Sequence, residues 1–433
     1  MDLRNAGVTG PVAGSLPAMN IAVLTSSYPR FPGDGTAPFV KSICEHLVKL
    51  GHAVEVVAPY DPAVQPVDGG GVLVHRFHYA WPDQLHIMGH ARSLEADIRL
   101  KPLTYLLLPF FLAAALSSLL RVTARQRSQA IHVHWVLPNG LVAAWVAARR
   151  GLPFVVSLHG SDMYLASQSK LFGAAACYVF RRAAAVTACS PELRQAALAL
   201  GAPEDTLLLP WGADPEQFHP DHRNAETRAS YSAGPGDVLI VALGRMVHKK
   251  GFDRLLAAMP AVLARQPRAR LVLGGDGPLR ESLARQAAGL GVEGHVTFAG
   301  RVPWDCVPEL LAAADIFVLP SVRDENGNVD GLPTVLLEAM SSGAAVVASD
   351  IGGVGLVVEH GRTGLRVPPG DVEALANAIL SLAGDPQRSR ALGQAARQAV
   401  VEHFNWENVA RQIAGLLEGA ATVPVAGGKG GRP

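Results

Sequence analysis

From Met19 onward, short apolar, β-branched runs alternate with longer segments whose apolar positions recur at helical spacing. That pattern predicts a parallel sheet wrapped by helices. Strands are predicted over 21–25, 53–59, 131–135, 154–160, 184–190 and 207–212. Helices fall between them at 38–50, 139–149 and 191–200, punctuated by a starting Pro or a stopping Gly. The stretch 214–237 is polar and rich in Pro and Gly, and it reads as a linker. A second series follows at 238–245, 270–277, 295–300, 316–321, 345–350 and 364–367. The chain is therefore expected to hold two doubly wound α/β domains, 19–213 and 238–400. A flexible leader, 1–18, precedes them; a helix, 401–418, and a Gly-rich disordered tail, 419–433, follow. In open α/β sheets ligands sit beyond the carboxyl ends of the strands, and a cleft between two such domains is the expected site.

One segment departs from this rhythm. Residues 103–120 carry no charge and are flanked by Lys101 on one side and by Arg121, Arg125 and Arg127 on the other. Three readings stay open: a membrane span shortened by Pro109, a helix buried in the first domain, or an exposed apolar face resting on a membrane surface.

Composition narrows the classes. Hydrophobic residues make up 49% of 433, with 44 Gly and 31 Pro, which fits a globular chain and not a low-complexity one. Lys and Arg number 38 against 37 Asp and Glu, so there is no basic field for nucleic acid, and none is expected as a partner. Cys44, Cys177, Cys189 and Cys306 form no C-x-x-C pair, which suits neither a disulfide framework nor a zinc site and points to a reducing cytoplasm. Residues 1–18 lack the cationic and apolar regions of a secretion signal.

The candidate chemistry stands just after the strands. Gly33 and Gly35 precede a Pro-led helix start, where close backbone approach and free amides favour an anion, although a strand-to-helix loop carries glycines for structural reasons too. His159-Gly160-Ser161-Asp162 follows the fourth predicted strand. There Asp162 would orient the ring or accept from a sugar hydroxyl, against the alternative of a structural hydrogen bond. Gly244-Arg245-Met246-Val247-His248-Lys249-Lys250-Gly251 places Arg245 and Lys250 to hold a diphosphate, or else forms a solvated basic turn. Asp330, then Leu332, Pro333 and Thr334 at a helix start, then Glu338 one turn inside, would take a sugar hydroxyl, a phosphate and a ribose in that order. The rival reading makes Asp330 a helix cap and Glu338 a salt-bridge partner. No G-x-G-x-x-G is present, which disfavours a nicotinamide dehydrogenase, and no D-x-D stands at a strand end, so no metal is expected.

At these residues the chain resembles the family 4 glycosyltransferases, which are retaining enzymes of the GT-B fold. The likeness covers roughly 19–419 and includes the closing FNWENVARQIAGLL, similar to the family's last helix, which crosses back to the first domain. The resemblance implies that Arg245 and Lys250 hold the donor diphosphate, Glu338 the ribose, and backbone near Arg301 and Val302 the base. His159 would face the transferred sugar. Asp330 stands where the family usually has Glu, one methylene longer, so its contact would be rebuilt by the loop 324–329. The first loop reads PGDG where the family has a plain Gly-Gly pair.

The function so implied is transfer of a sugar from a nucleotide-diphosphate sugar to an acceptor hydroxyl, by front-face displacement within an ion pair. The donor is a co-substrate and no cofactor is needed. The acceptor is a glycan or lipid-linked molecule, and the enzyme is cytoplasmic with peripheral contact to the inner membrane surface. A sugar-nucleotide epimerase or phosphorylase of the same fold, or a catalytically silent sugar-nucleotide-binding protein, remains as an alternative.

Overall fold

The computed structural model describes residues 18–66, 70–90, 94–95, 99–325 and 327–422. The expected leader at 1–17 and the tail residues 423–433 lie outside the described residues. Contacts divide the chain into one unit ending at Leu209 and resuming at Trp406, and a second spanning Pro210–Asn405.

The first unit carries β1 (Asn20–Leu24), β2 (Ala53–Pro59), β3 (Leu73–Phe77), a short antiparallel pair β4 (Leu94–Glu95) and β5 (Arg99–Leu100), then β6 (Ala130–His134), β7 (Phe154–Leu158), β8 (Ala185–Ala188) and β9 (Leu207–Leu208). All but the short pair form one parallel sheet in the order β3-β2-β1-β6-β7-β8-β9. Every residue of β6 and β7 is buried, as expected where helices cover both faces of a parallel sheet. The sequence pattern misses β3 because LVHRF is an edge strand whose polar residues are only half-buried. Its His75 bonds the Glu55 carboxylate at 2.6 Å, and Arg125 reaches the same carboxylate at 2.9 Å.

The uncharged segment forms the helix Pro102–Arg125, long and apolar enough to cross a membrane. Leu107, Phe111, Ala115, Leu119 and Val122, spaced three or four apart, are buried on one side, and the helix rests on the sheet and on the helix Asn139–Arg150. Leu103, Tyr105, Leu106 and Phe110 face outward, so the helix is neither wholly buried nor wholly exposed. Pro109 is accommodated inside it.

In the second unit β10 (Val238–Leu243), β11 (Ala269–Gly274), β12 (Val296–Gly300), β13 (Ile316–Leu319), β14 (Ala345–Ser349) and β15 (Leu365–Val367) form a parallel sheet in the order β12-β11-β10-β13-β14-β15. Ile240, Leu271, Val318 and Val347 from four of these strands are buried with Leu256 and Ile379 from flanking helices. The stretch 214–237 is not a linker but part of this unit. Arg223 and Arg228 both bond the Asp315 carboxylate, at 2.5 and 3.0 Å, and Asn224 caps the short helix Ala225–Ser230. The arginines of this polar stretch are paired in space.

The end of the chain also differs from expectation. The helix Pro386–Glu402 stops and a new one, Trp406–Thr422, begins, so 401–418 is not one helix and residues 419–422 are its final turn rather than tail. Trp406, Val409, Ala410, Ile413, Ala414 and Leu417 make a buried stripe that packs on the helix Pro38–Lys49 and on β6 and β7 of the first unit.

Candidate functional site

Counted from each unit's first strand, both sheets contain the order 3-2-1-4-5-6. The chain leaves β1 in one direction and returns at β6 on the other side; β10 and β13 repeat this. Ligands of open α/β sheets sit at such reversals, beyond the strand ends. The candidate residues cluster there in each unit.

In the second unit the loop after β10 bends through a short turn, His248–Lys250, into the helix Phe252–Arg265. Gly251 makes that bend with φ +65°, and a Cβ there would stand 1.9 Å from the Pro320 carbonyl oxygen, so only glycine fits. The turn aims two cations at the loop after β13: Lys250 Nζ lies 2.7 Å and Lys249 Nζ 3.2 Å from the Asp330 carboxylate oxygens. Arg245 is close enough to act on the same carboxylate. Burial by itself would raise the Asp330 carboxyl, but Lys250 and Lys249 outweigh it and hold it at about 2.

Pro333 caps the helix Thr334–Ser341 without a side-chain bond, so Asp330 is not its cap. Leu332 is buried beside it. Glu338, one turn in, is 5% exposed and has no ion pair among the described residues. Burial pushes its carboxyl up to about 7, opposed only by a hydrogen bond with the Thr334 hydroxyl. Neither structural role expected for this pair is therefore realised; Asp330 holds the lysines, and Glu338 is a buried acid.

Arg301 and Val302 follow β12. Gly275 N donates to Gly300 O at 2.7 Å, the Val302 side chain lies over Gly274, and Gly244 N and Met246 N donate to Gly274 O and Asp276 O, each at 2.9 Å. Three strand-end loops, after β10, β11 and β12, are thereby tied together.

In the first unit the loop after β1 is fixed by Asp34, a buried residue of the PGDG run. Its carboxylate accepts from Arg30 Nε at 2.7 Å and from the Thr36 hydroxyl at 2.8 Å. Burial opposes ionisation, yet Arg30 and Thr36 hold this group at about 2. Gly33 turns with φ +76°, whereas Gly35 opens onto space with nothing within 4 Å of a Cβ position. Asn139, beyond β6, donates to Ser26 Oγ at 2.9 Å and to the His134 carbonyl at 2.8 Å, joining the two sides of the reversal.

His159 stands just past β7 within a ring cluster: Phe39 at 5.0 Å, Trp135 at 4.6 Å and a stacked His134 at 5.2 Å between centroids. His134 Nδ1 and His159 Nε2 are 3.1 Å apart and share one proton between them. Burial lowers both imidazoles well below their ordinary range, and His132, two residues before His134 and so on the same face of the strand, falls to about 3. Asp162 does not orient the His159 ring. Its carboxylate accepts the backbone amides of Val136 at 2.8 Å, Gly160 at 3.0 Å and His159 at 3.3 Å, so it fixes the loop. Burial raises its pKa against those amides. The ring partner is His134, whose signal was an H-x-H inside an otherwise apolar strand; the other overlooked group, Lys249, sits beside Lys250 in the sequence.

Residues 34–212 match the Glycosyl transferase 4-like domain, and residues 224–399 match Glycosyl transferases group 1. A GDP-mannose-dependent alpha-(1-6)-phosphatidylinositol monomannoside mannosyltransferase of Mycobacterium tuberculosis is 38% identical over 225 residues, 52% of this chain. The match spans only 58% of that protein's length. The putative teichuronic acid biosynthesis glycosyltransferase TuaC of Bacillus subtilis is 29% identical over 381 residues, 83% of this chain and 88% of its own. Among solved structures, sucrose-phosphate synthase from Thermosynechococcus elongatus superposes with a TM-score of 0.71 at 24% identity, covering 92% of this chain and 98% of that one.

Proposed function

The chain belongs to the family 4 glycosyltransferases, with the two Rossmann-like domains of the GT-B fold, and from that premise we propose that it moves a hexose from a nucleoside-diphosphate sugar to an acceptor hydroxyl, with retention of anomeric configuration. One observation carries this reading. At the reversal of the six-stranded sheet, three cations, Arg245, Lys249 and Lys250, meet a single carboxylate, Asp330, which leaves net positive charge for an anion.

As the bond between the anomeric carbon and the phosphate oxygen breaks, negative charge collects on the departing nucleoside diphosphate. Cations already in place stabilise it without reorganisation. Arg245 grips two oxygens in a fork and Lys250 acts as a point charge. Backbone at Leu332, Pro333 and Thr334 approaches the same phosphates. The Glu338 carboxylate accepts the ribose hydroxyls, so donor binding draws off the proton that burial favours. Arg301 and Val302 border the base. Asp330 exchanges a lysine for a hydroxyl of the sugar, and neutral His159, steadied by His134, serves the transfer step. The acceptor oxygen bonds the anomeric carbon on the face the phosphate leaves, and its proton passes to that phosphate.

The acceptor is a lipid-linked glycoconjugate. Two things support this: the mycobacterial relative is named for a phosphatidylinositol mannoside, and Leu103, Tyr105, Leu106 and Phe110 form an outward apolar face beside Lys101. That face rests on the inner membrane surface.

The test is product analysis: the full chain is incubated with a panel of nucleoside-diphosphate hexoses and with lipid-linked or soluble acceptors, and the new linkage is assigned by NMR. A glycoside with the donor's anomeric configuration is expected. An altered sugar nucleotide without transfer, or donor binding without turnover, overturns the reading in favour of an epimerase or a silent binding protein.

A further inference from the structure

A second cluster lies apart from the groups used above, in the segment that leaves the edge strand β3. It reads His78-Tyr79-Ala80-Trp81-Pro82-Asp83-Gln84-Leu85-His86, in which Asp83 stands five residues after one imidazole and three before the other. The segment is pinned at both ends. Tyr60 N donates to Phe77 O at 3.0 Å where it begins, and beyond it His90 N donates to the Ser27 hydroxyl at 2.9 Å.

His86 is 1% exposed, and neither of its ring nitrogens makes a hydrogen bond of ordinary geometry. The Ala80 carbonyl can take one ring N–H, which leaves the other nitrogen unpartnered, and a buried polar atom in that state costs free energy unless another ligand satisfies it. Its Nε2 lies 3.9 Å from Asp83 Oδ1, its ring stands at right angles to that of His78 with centroids 5.2 Å apart, and the Ala80 carbonyl flanks it. One nitrogen from each histidine and one Asp83 oxygen all lie within 4.8 Å of one another. Aromatic walls frame the group: Tyr60 stacks on His78 at 3.8 Å, and Tyr79 meets His86 edge-on at 4.5 Å.

We propose that His78, Asp83 and His86 bind a divalent transition-metal cation of the zinc class. Two imidazole nitrogens with one carboxylate oxygen select zinc-like ions over magnesium or calcium, which prefer all-oxygen shells. Bonds of about 2.0–2.1 Å in a tetrahedron set ligand atoms roughly 3.3 Å apart, so the trio must close by about 1.5 Å. His78 and Asp83 are exposed and can make that movement, His78 by sliding along the Tyr60 ring, while buried His86 serves as the fixed ligand. Three protein ligands leave a fourth position for water or for an anionic oxygen brought by a bound molecule.

The test needs no activity measurement. The metal-stripped full chain is titrated with Zn2+ against a chromophoric chelator, and Co2+ binding is followed by its visible spectrum. The expected result is one tight equivalent per chain, weakened at least tenfold in His78→Ala and in Asp83→Asn. Both changes are at exposed positions, and circular dichroism checks the fold of each variant. His219→Ala, at a half-buried histidine paired with Asp221 in the other unit, should leave the affinity unchanged. Absence of a stoichiometric Zn2+ site, or equal affinity in wild type and the two site variants, overturns the proposal.

Discussion

The two units share a strand order but differ in what their strand ends carry. At the reversal of the six-stranded sheet the groups are ionic: Lys249 and Lys250 on Asp330, with Arg245 beside them. At the corresponding edge of the seven-stranded sheet they are neutral rings, His134, His159, Trp135 and Phe39, and the carboxylates Asp34 and Asp162 are consumed by Arg30 and by backbone amides. One topology thus offers two kinds of surface. The first suits an anion; the second suits an uncharged hydroxylated group that stacks and exchanges single hydrogen bonds.

The comparison breaks most visibly at His159. His159→Ala is expected to lower kcat by about 10²–10³-fold, the range for loss of one preorganised transition-state group, while nucleoside diphosphate affinity stays within about twofold. A matching loss of nucleotide affinity would erase the division of labour between the units.

Glu338 tests the other side through pH. Its folded pKa of about 7 lies above its ordinary 4.5, so the folded state holds a proton that the unfolded chain has lost. Stability should therefore fall as pH rises from about 4.5 to about 7, by roughly 3 kcal/mol at 1.4 kcal/mol per pKa unit. Denaturant melts of Glu338→Gln across that window should lack this slope. Donor affinity in the wild type should rise through pH 7 if the ionised carboxylate takes the ribose, and a flat profile would remove that assignment.

Lys250→Ala should weaken nucleoside diphosphate binding by roughly 10–100-fold in calorimetry, the worth of one charge-assisted contact. Retained affinity would show that the Asp330 pair is purely structural. The smallest effect concerns the outward face of the helix Pro102–Arg125. Replacing Leu106 and Phe110 by Ser should lower sedimentation with anionic vesicles by about three- to tenfold, and a native protein that ignores vesicles would end the membrane reading.

Legibility in the sequence followed the range of the forces involved. The alternation of apolar runs, the Pro-led helix starts and the switch from β13 to the helix Thr334–Ser341 are local signals, and they placed most strands within a residue or two. The edge strand β3 carries too little apolar patterning to be seen. The stretch 214–237 looked like a linker because its arginines are polar in sequence, whereas their partner Asp315 is about ninety residues away.

By itself, then, the sequence determined two parallel α/β domains and put Arg245, Lys250, His159 and Glu338 just beyond strands or at a helix start, since local periodicity and turn chemistry suffice for that. Only the tertiary structure decided who their partners are. Asp330 is eighty residues from Lys250, and His134 is twenty-five from His159. Both pairings arise because parallel strands deliver distant loops to one sheet edge, and burial there then sets which groups keep their charge.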